Sequence, residues 1–266
     1  MQIVSAAQSN MGNIRKNNED NLYYNGFYLD ETNRDMPFLK ECNCSDKLQI
    51  YAVCDGMGGE EFGEVSSFFA VSTLGEHHKA TLEKAKSAAD LKEYFKAANK
   101  KIAEFSKDNG KISGTTFAGV VVYNRHVRVF NIGDSRVYRY RKGKLKLLSE
   151  DDTPAFREYK LGIISKEDIA NHPYKNMLTQ YLGMLEDDAP VVHCKTAFLH
   201  PKDRFLICSD GVTDMISEDM ICNILNENKT PAAAVRALTN SALYAGGKDN
   251  ITAIVLDSGN FFSFWK

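Results

Sequence analysis

The sequence predicts an α+β fold. Short apolar runs typical of strands occur in groups, and pairs of amphipathic helices are expected between the groups. The chain does not alternate one strand with one helix, as parallel α/β sheets do. The 266 residues show no repeat, low-complexity tract or linker, and 43% of them are hydrophobic. Residues 1–266 are therefore predicted to form a single domain with a substantial core.

The first half of the chain begins with strands and continues with helices. Apolar runs predict strands at 3–8, 22–29 and 51–54, and the polar stretch 30–47 is expected to be a surface loop. Apolar side chains at three- and four-residue spacing then predict helices over 61–79 and 91–105.

The second half returns to strands and ends with helices before a last strand. Four short runs separated by turn dipeptides predict an antiparallel meander at 116–123, 127–132, 137–141 and 145–148. Strands are also predicted at 205–208 and 251–256. Between them, Ser217 is expected to begin a short helix, and Thr230 with Pro231 to begin a longer one that stops at Gly246.

Charge and cysteine content restrict the possible partners and compartment. The 33 basic and 35 acidic side chains nearly cancel, and no dense Lys/Arg block beside aromatic residues is recognised, so nucleic acid is not expected as a partner. No apolar stretch approaches about 18 residues, which predicts a cytoplasmic protein without membrane contact. The six scattered cysteines are expected to be reduced thiols.

Three aspartates at the ends of apolar runs point to a metal site. Asp55-Gly56 and Asp210-Gly211 each end a run, and Asp249 precedes a third. An isolated Asp-Gly pair is most simply a tight turn, but three such acids suggest oxygen ligands gathered around a hard cation. No histidine or cysteine spacing typical of zinc accompanies them, which favours Mg²⁺ or Mn²⁺.

Three further segments have ordinary local interpretations when each is taken alone. Arg15 with Glu19 and Asp20 fits a solvated polar turn, 113–116 fits a strand entry, and Gly133 with Asp134 fits a hairpin turn. Their combination with the three aspartates is more specific.

Together these segments resemble the metal-dependent Ser/Thr protein phosphatases of type 2C, the PPM family. The matching stretches run in family order across nearly the whole chain: 15–20, 53–59, 113–116, 133–136, 208–211 and 248–250. The bacterial branch is the most similar, because Asp151-Asp152-Thr153 and the residues up to Gly183 resemble its flap and the segment after it, over roughly 150–183.

The resemblance implies a central sandwich of two antiparallel β-sheets flanked by α-helices on both faces, with a binuclear metal centre in a cleft at one edge. It implies that Asp55 bridges both ions, that Asp210 and Asp249 complete the first site, and that the Gly56 carbonyl binds the second. The implied outer contributors are Glu19 and Asp20, which hold metal-bound water, and Asp134, which helps to bind a third, weaker metal.

The implied activity is hydrolysis of phosphoserine and phosphothreonine on proteins by a water or hydroxide activated at a binuclear Mn²⁺ or Mg²⁺ centre. Arg15 would bind the substrate phosphate, because a guanidinium can pair with two phosphate oxygens. The implied partners are phosphorylated proteins and a bacterial Ser/Thr kinase that the enzyme opposes, and a monomer is expected.

The sequence departs from the family at several positions. Met57 stands where eukaryotic members often have a histidine proposed as general acid, and Gln180 where many bacterial relatives have arginine. His172 is expected to stabilise a turn, and the aromatic tail 261–265 to pack back on the body. Two alternatives stay open: a catalytically silent module of the same fold, and a different two-metal phosphoesterase.

Overall fold

Two antiparallel β-sheets form the centre of the protein. The computed structural model describes residues 2–30, 32, 34, 37–58, 62–84, 91–185 and 189–259. The strands are β1 (Ile3–Asn10), β2 (Asp20–Tyr24), β3 (Phe27–Tyr28), β4 (Phe38–Cys44), β5 (Leu48–Met57), β6 (Gly114–Thr115), β7 (Phe117–Tyr123), β8 (His126–Ile132), β9 (Arg136–Arg141), β10 (Lys144–Leu147), β11 (His193–Phe198), β12 (Arg204–Cys208) and β13 (Ile251–Ser258).

Each sheet combines strands that are distant in sequence. The first has the order β10-β9-β12-β13-β1-β4, and the second the order β11-β8-β7-β5-β2-β3, with β6 paired to β5. The helices are α1 (Gly63–Lys84), α2 (Lys92–Asn109), α3 (Pro154–Lys160), α4 (Asp210–Thr213), α5 (Glu218–Glu227) and α6 (Pro231–Tyr244), with a 3-10 turn at Ile169–Asn171.

Three buried clusters divide the molecule into four layers. The central cluster joins side chains from both sheets, such as Val53 and Ile254. A second cluster lies between the second sheet and helices α1 and α2, and a third between the first sheet and helices α4 to α6. The predicted α+β sandwich with helices on both faces is therefore confirmed.

The continuous apolar runs in the sequence follow from this layering. In β5, Tyr51 and Val53 point into the central cluster, whereas Ala52 and Cys54 point towards α1 and α2. Because helices cover the outer faces, both sides of a central strand are buried and its sequence does not alternate with polar residues.

The structure corrects three local expectations. Residues 22–29 are not one strand, since Asn25 and Gly26 take positive φ angles of 47° and 101° and join β2 to β3 in a tight hairpin. The 30–47 segment is not entirely a surface loop, because β4 pairs with β1 along the sheet edge. The predicted meander is wrong at one junction: β8 belongs to the second sheet and β9 to the first, so 133–135 crosses between the sheets.

The predicted helix starts are confirmed by their caps. The Ser217 hydroxyl accepts a hydrogen bond from the Met220 amide, and the Thr230 hydroxyl accepts one from the Ala233 amide. All six cysteines are free thiols. Across the described ranges, no helix has the length and apolar character needed to span a membrane. The aromatic tail 261–265 lies outside the described residues.

Candidate metal centre

A cleft of about 900 Å³ at one edge of the sandwich gathers seven of the eight predicted site residues. Its lining includes Arg15, Glu19, Asp55, Gly56, Asp134, Asp210 and Asp249. These residues come from both sheets: β5 carries Asp55, Asp210 follows β12, and Asp249 precedes β13. Both sheets therefore contribute acids to the same cleft.

Asp20, the eighth residue, lies in the wall beside the cleft. Its partner in the ladder between β2 and β5 is Asp55, so the two acids are direct cross-strand neighbours. Asp20 is 1% exposed, and its Oδ2 accepts a hydrogen bond of 2.7 Å from the Ser209 hydroxyl. Burial, with the nearby Asp249 and Asp210 charges adding to it, raises the pKa of Asp20 to about 7.

The other carboxyls of the cleft are perturbed in the same direction. Burial raises the pKa of Asp55 and of Asp134 well above the ordinary value, and neighbouring carboxylates raise each further. The pKa of Asp210 is raised to about 6 by burial and by Asp249. So many acids in one place cannot all ionise without a compensating cation.

The donor set fits a hard divalent cation completed by water. Asp20 Oδ1 and Asp210 Oδ1 are buried and have no hydrogen-bond partner. Within the described ranges, however, no three or more His, Cys, Asp or Glu side chains form a ready-made metal cage. Mg²⁺ and Mn²⁺ suit such a site, because hard cations prefer oxygen and Mg²⁺ keeps several water ligands.

Two glycines next to the acids are required by close packing. A Cβ on Gly56 would lie 2.1 Å from the Gly63 carbonyl oxygen, and one on Gly211 would lie 1.9 Å from that of Asn250. Gly211 has no positive φ. Its role is therefore to admit the Asn250 backbone, which differs from the turn expected from the sequence.

The 113–116 motif fixes the backbone of Asp55. The Asp55 amide donates to the Thr116 hydroxyl at 2.9 Å, and its carbonyl accepts from the Thr116 amide at 2.8 Å and from the Thr115 hydroxyl at 2.9 Å. Thr115 also exchanges two backbone hydrogen bonds with Leu182. The motif thus connects Asp55 to the segment that follows the flap.

Asn250 holds the backbone beside the cleft, a role that its motif did not reveal in the sequence. Its amide nitrogen donates to the carbonyls of Met11 and Asn17 at 2.9 Å each, and its amide oxygen accepts from the Glu19 amide at 2.8 Å. This side chain holds the segment that carries Arg15 and Glu19 against the start of β13. The one sequence feature that could have drawn attention to Asn250 is its position directly after Asp249.

Arg15 lies at the rim of the cleft and is tied to one of the predicted ligands. Its Nη2 donates to Asp249 Oδ2 at 2.7 Å, and both side chains are partly exposed, at 45% and 34%. That hydrogen bond, countered by desolvation and supported by the charges of Asp249 and Glu19, raises the pKa of Arg15. The guanidinium therefore sits beside the acids, and the side chain is partly open to solvent.

Asp134 occupies the crossing between the two sheets, and Asp152 fixes that crossing. The Gly133 amide donates to Asp152 Oδ2 at 2.8 Å, and His193 Nε2 lies 2.8 Å from Asp152 Oδ1. At the start of β9, Arg136 makes a bidentate ion pair with the buried Asp151, 2.6 Å at its shortest.

His172 of the flap and the two residues that depart from the family pattern, Met57 and Gln180, differ in their surroundings. His172 Nδ1 accepts a hydrogen bond from the Tyr174 amide at 3.2 Å, which agrees with the expected turn-stabilising role. Gln180 accepts a hydrogen bond of 2.6 Å from the Val191 amide and does not line the cleft. Met57 does line the cleft, together with Asn176 and Leu178 of the flap segment.

Comparison with known proteins decides the family. The model of the family Protein phosphatase 2C matches residues 33–243, most of the chain. This chain belongs to the protein phosphatase 2C family. The matched range contains Asp55, Asp134 and Asp210, whereas Arg15, Glu19, Asp20 and Asp249 lie outside it.

Curated bacterial serine/threonine phosphatases resemble the chain over nearly its whole length. A protein named serine/threonine phosphatase stp, from Listeria monocytogenes serotype 4b, is 32% identical, with 94% of each chain covered. The serine/threonine protein phosphatase PstP of Mycobacterium tuberculosis is 30% identical over 95% of this chain and 44% of its own length. The predicted family and enzyme class, a bacterial PPM-type serine/threonine phosphatase, are confirmed.

Solved structures of this family share the fold. The crystal structure of M. tuberculosis PstP/Ppp has a TM-score of 0.77 at 26% identity, covering 98% of this chain and 100% of that one. The PstP catalytic domain in complex with two manganese ions has a TM-score of 0.74 at 27% identity and the same coverage.

Proposed function

We propose that this phosphatase hydrolyses phosphoserine and phosphothreonine on proteins in the cleft at the edge of its sandwich, with Mn²⁺ or Mg²⁺ as cofactor. The observation that carries the proposal is the convergence of Asp55, Asp134, Asp210 and Asp249 with Arg15 in that cleft. The names of the curated relatives and the manganese in the related PstP structure support it.

The proposed ligands divide between two ions and a weaker third. Asp55 would bridge the two ions, with Asp210 and Asp249 on the first and the Gly56 carbonyl on the second. The outer contributors would be Glu19 and Asp20, which orient water, and Asp134 at the third site. The ions would supply positive charge to the phosphoryl oxygens and lower the pKa of water that attacks phosphorus.

Arg15 would orient the substrate. Because its side chain is partly exposed beside the acids, its guanidinium could reach a phosphate placed over them, and two parallel hydrogen bonds would fix the rotation of the phosphoryl group. Met57 has no proton to donate, so the serine or threonine oxygen would take its proton from water in the open cleft.

The cellular role we propose is to oppose a Ser/Thr kinase, with residues 1–266 acting as one monomeric catalytic domain. A strain that lacks the phosphatase should accumulate phosphothreonine and phosphoserine on a defined set of proteins. Deleting the kinase as well should remove those signals, and quantitative phosphoproteomics of the single and double deletions would measure both effects. Unchanged phosphorylation in the single deletion would contradict the proposed role.

The activity test uses a matched pair of variants. Wild-type protein with Mn²⁺ should release phosphate from a phosphothreonine peptide, and Asp55→Asn should lower kcat by at least about a thousandfold, since it removes the shared ligand. Asp108→Asn removes the same charge from the exposed end of α2 and should leave kcat unchanged. Circular dichroism confirms the fold of both. Full activity in Asp55→Asn would overturn the proposal.

A metal titration separates the roles of the acids. Asp55→Asn should weaken both of the tighter Mn²⁺ binding events, because it would contact both ions, whereas Asp210→Asn should weaken chiefly one. Isothermal titration calorimetry on the metal-free variants measures the difference without turnover. Equal effects of the two substitutions would contradict the bridging role of Asp55.

A further inference from the structure

A basic hairpin lies outside the catalytic cleft. Of the eleven residues 136–146, six are cations: Arg136, Arg139, Arg141, Lys142, Lys144 and Lys146. The expectation that the chain has no dense Lys/Arg block is therefore wrong for this segment. Strands β9 and β10 form the hairpin, with Lys142 and Gly143 in left-handed conformations at its turn.

The pairing register places like charges directly opposite each other. Lys144 faces Arg141, and Lys146 faces Arg139. Because side chains alternate along a strand, all four cations share one face. On the other face, Tyr138, Tyr140 and Leu145 pack with the third cluster, which lies between the first sheet and helices α4 to α6. Cross-strand like-charge pairs destabilise a sheet, so this face carries electrostatic repulsion that an anion would relieve.

The described chain provides little compensation for these charges. Arg141 pairs with Asp203, but no carboxylate in the described ranges is within ion-pair distance of Arg139, Lys144 or Lys146. The Nε of Arg139 is buried and has no hydrogen-bond partner. Five of the six residues that line an open groove of about 510 Å³ on this hairpin are cations: Arg139, Arg141, Lys142, Lys144 and Lys146.

Protection of a sheet edge does not account for the pattern. Lysines on an edge strand prevent unwanted strand pairing, and Lys144 and Lys146 on β10 fit that role. Arg139, however, lies on β9, which is paired on both sides to β10 and β12. A cation placed there opposite Lys146 costs stability without protecting an edge.

We propose that this hairpin docks an extended acidic segment of a partner protein. The carboxylates of that segment would pair with Arg139, Lys144 and Lys146, and its backbone would add to the edge of β10, which ends the sheet in the described part of the chain. Single-stranded nucleic acid fits less well, because the hairpin tyrosines point to the opposite face and cannot stack on bases.

The test measures binding alone and does not depend on phosphatase activity. The probe is a fluorescent peptide of about eight residues that alternates glutamate and threonine, the length of one strand. Fluorescence anisotropy should show binding to wild-type protein, weakened at least about tenfold in Arg139→Gln/Lys146→Gln. Lys96→Gln/Lys107→Gln removes the same charge from α2 and should change Kd by less than about twofold.

Three further probes distinguish strand addition by an acidic protein segment from other kinds of anion binding. The same peptide with alternate backbone nitrogens methylated cannot extend the sheet and should not bind. Equal binding by that peptide would overturn strand addition. Equal or tighter binding of oligothymidylate, or of anionic vesicles, with the same loss in the hairpin variant would overturn the assignment to a protein segment. Absence of peptide binding to the wild type would overturn the proposal itself.

Stability offers an independent readout of the same hairpin. Because Arg139→Gln/Lys146→Gln removes an opposed pair of like charges, its Tm should equal or exceed that of the wild type. A lower Tm would show that the two cations are compensated within the fold, and the argument for an external anion would fail.

Discussion

Each oxygen of the Asp249 carboxylate accepts a hydrogen bond within the protein. Its Oδ2 accepts one from Arg15, and its Oδ1 accepts one of 2.8 Å from the backbone amide of Asn250. A bound cation would compete with both donors for the same oxygens. Arg15 would then have more freedom to pair with a substrate phosphate, so metal binding and phosphate binding would favour each other at this residue.

Because the backbone of Asn250 approaches Gly211 closely, we expect a single added methyl group at Gly211 to destabilise the protein. Gly211→Ala would place Cβ 1.9 Å from the Asn250 carbonyl oxygen and should destabilise the protein by about 2–3 kcal/mol, because the backbone must shift. Gly75→Ala is the contrast: its Cβ would lie 3.3 Å from the Tyr28 ring, and it gains helix propensity of about 1 kcal/mol.

Urea unfolding of the two alanine variants provides the comparison. The unfolding midpoint of Gly211→Ala should fall clearly, and that of Gly75→Ala should stay near or above the wild-type midpoint. If both variants were as stable as the wild type, the Gly211 contact would not be a constraint on the fold.

At the scale of elements, the site depends on segments that clamp one another. Asn250, directly before β13, holds the segment between β1 and β2, and the 113–116 motif holds the end of β5. Hydrogen bonds from neighbouring segments thus fix the backbone around Asp55 and the segment that carries Arg15 and Glu19.

Reversing the polarity of the Asn250 clamp should release the segment that carries Arg15. In Asn250→Asp, a carboxylate would face the carbonyl oxygens of Met11 and Asn17 where an amide now donates, at a cost of about 2–3 kcal/mol. Asn43→Asp makes the same chemical change at an exposed position of β4.

Trypsin reports the local effect of the Asn250 change. Cleavage after Arg15 and Lys16 should be faster in Asn250→Asp than in the wild type or in Asn43→Asp, with urea unfolding as the global measure. Identical cleavage rates in all three proteins would argue against the clamp.

The sequence was informative about residues within short local motifs, and less informative about strands that are defined by the strand with which they pair. The acids that gather in the cleft could be predicted because the short motifs that contain them resemble a known family. Strand β4 could not, because Lys40, Glu41 and Asn43 give it a polar pattern and its pairing with β1 defines it. The crossing at Gly133 also looks like a hairpin turn, since turn residues do not specify which sheet the next strand joins.

At the scale of the molecule, the buried acids make stability depend on pH. In the folded protein the pKa of Asp20 is raised to about 7, whereas in the unfolded chain it is ordinary. Between these values the folded state binds more protons than the unfolded state, so the contribution of Asp20 to stability is lost as pH rises towards 7. Raised pKa values at Asp55, Asp134 and Asp210 act in the same direction.

Asp20→Asn isolates the contribution of Asp20 to the pH dependence of stability, because the amide cannot ionise and can still accept the hydrogen bond from Ser209. In EDTA, between about pH 5 and about pH 8, the Tm of the wild type should fall relative to that of Asp20→Asn. Over the same range the stabilisation by Mn²⁺ should grow, since ligands must be deprotonated. Differential scanning fluorimetry measures both trends, and parallel Tm curves for the two proteins would contradict the assignment.

The crossing of the chain between the two sheets also bears on how the enzyme matures. Because Asp55 belongs to one sheet and Asp210 and Asp249 flank strands of the other, a folding intermediate with only one sheet formed would lack the complete set of proposed ligands. High-affinity manganese capture during refolding would then report the docking of the two sheets. A newly made chain would become competent for catalysis only at that last step of assembly.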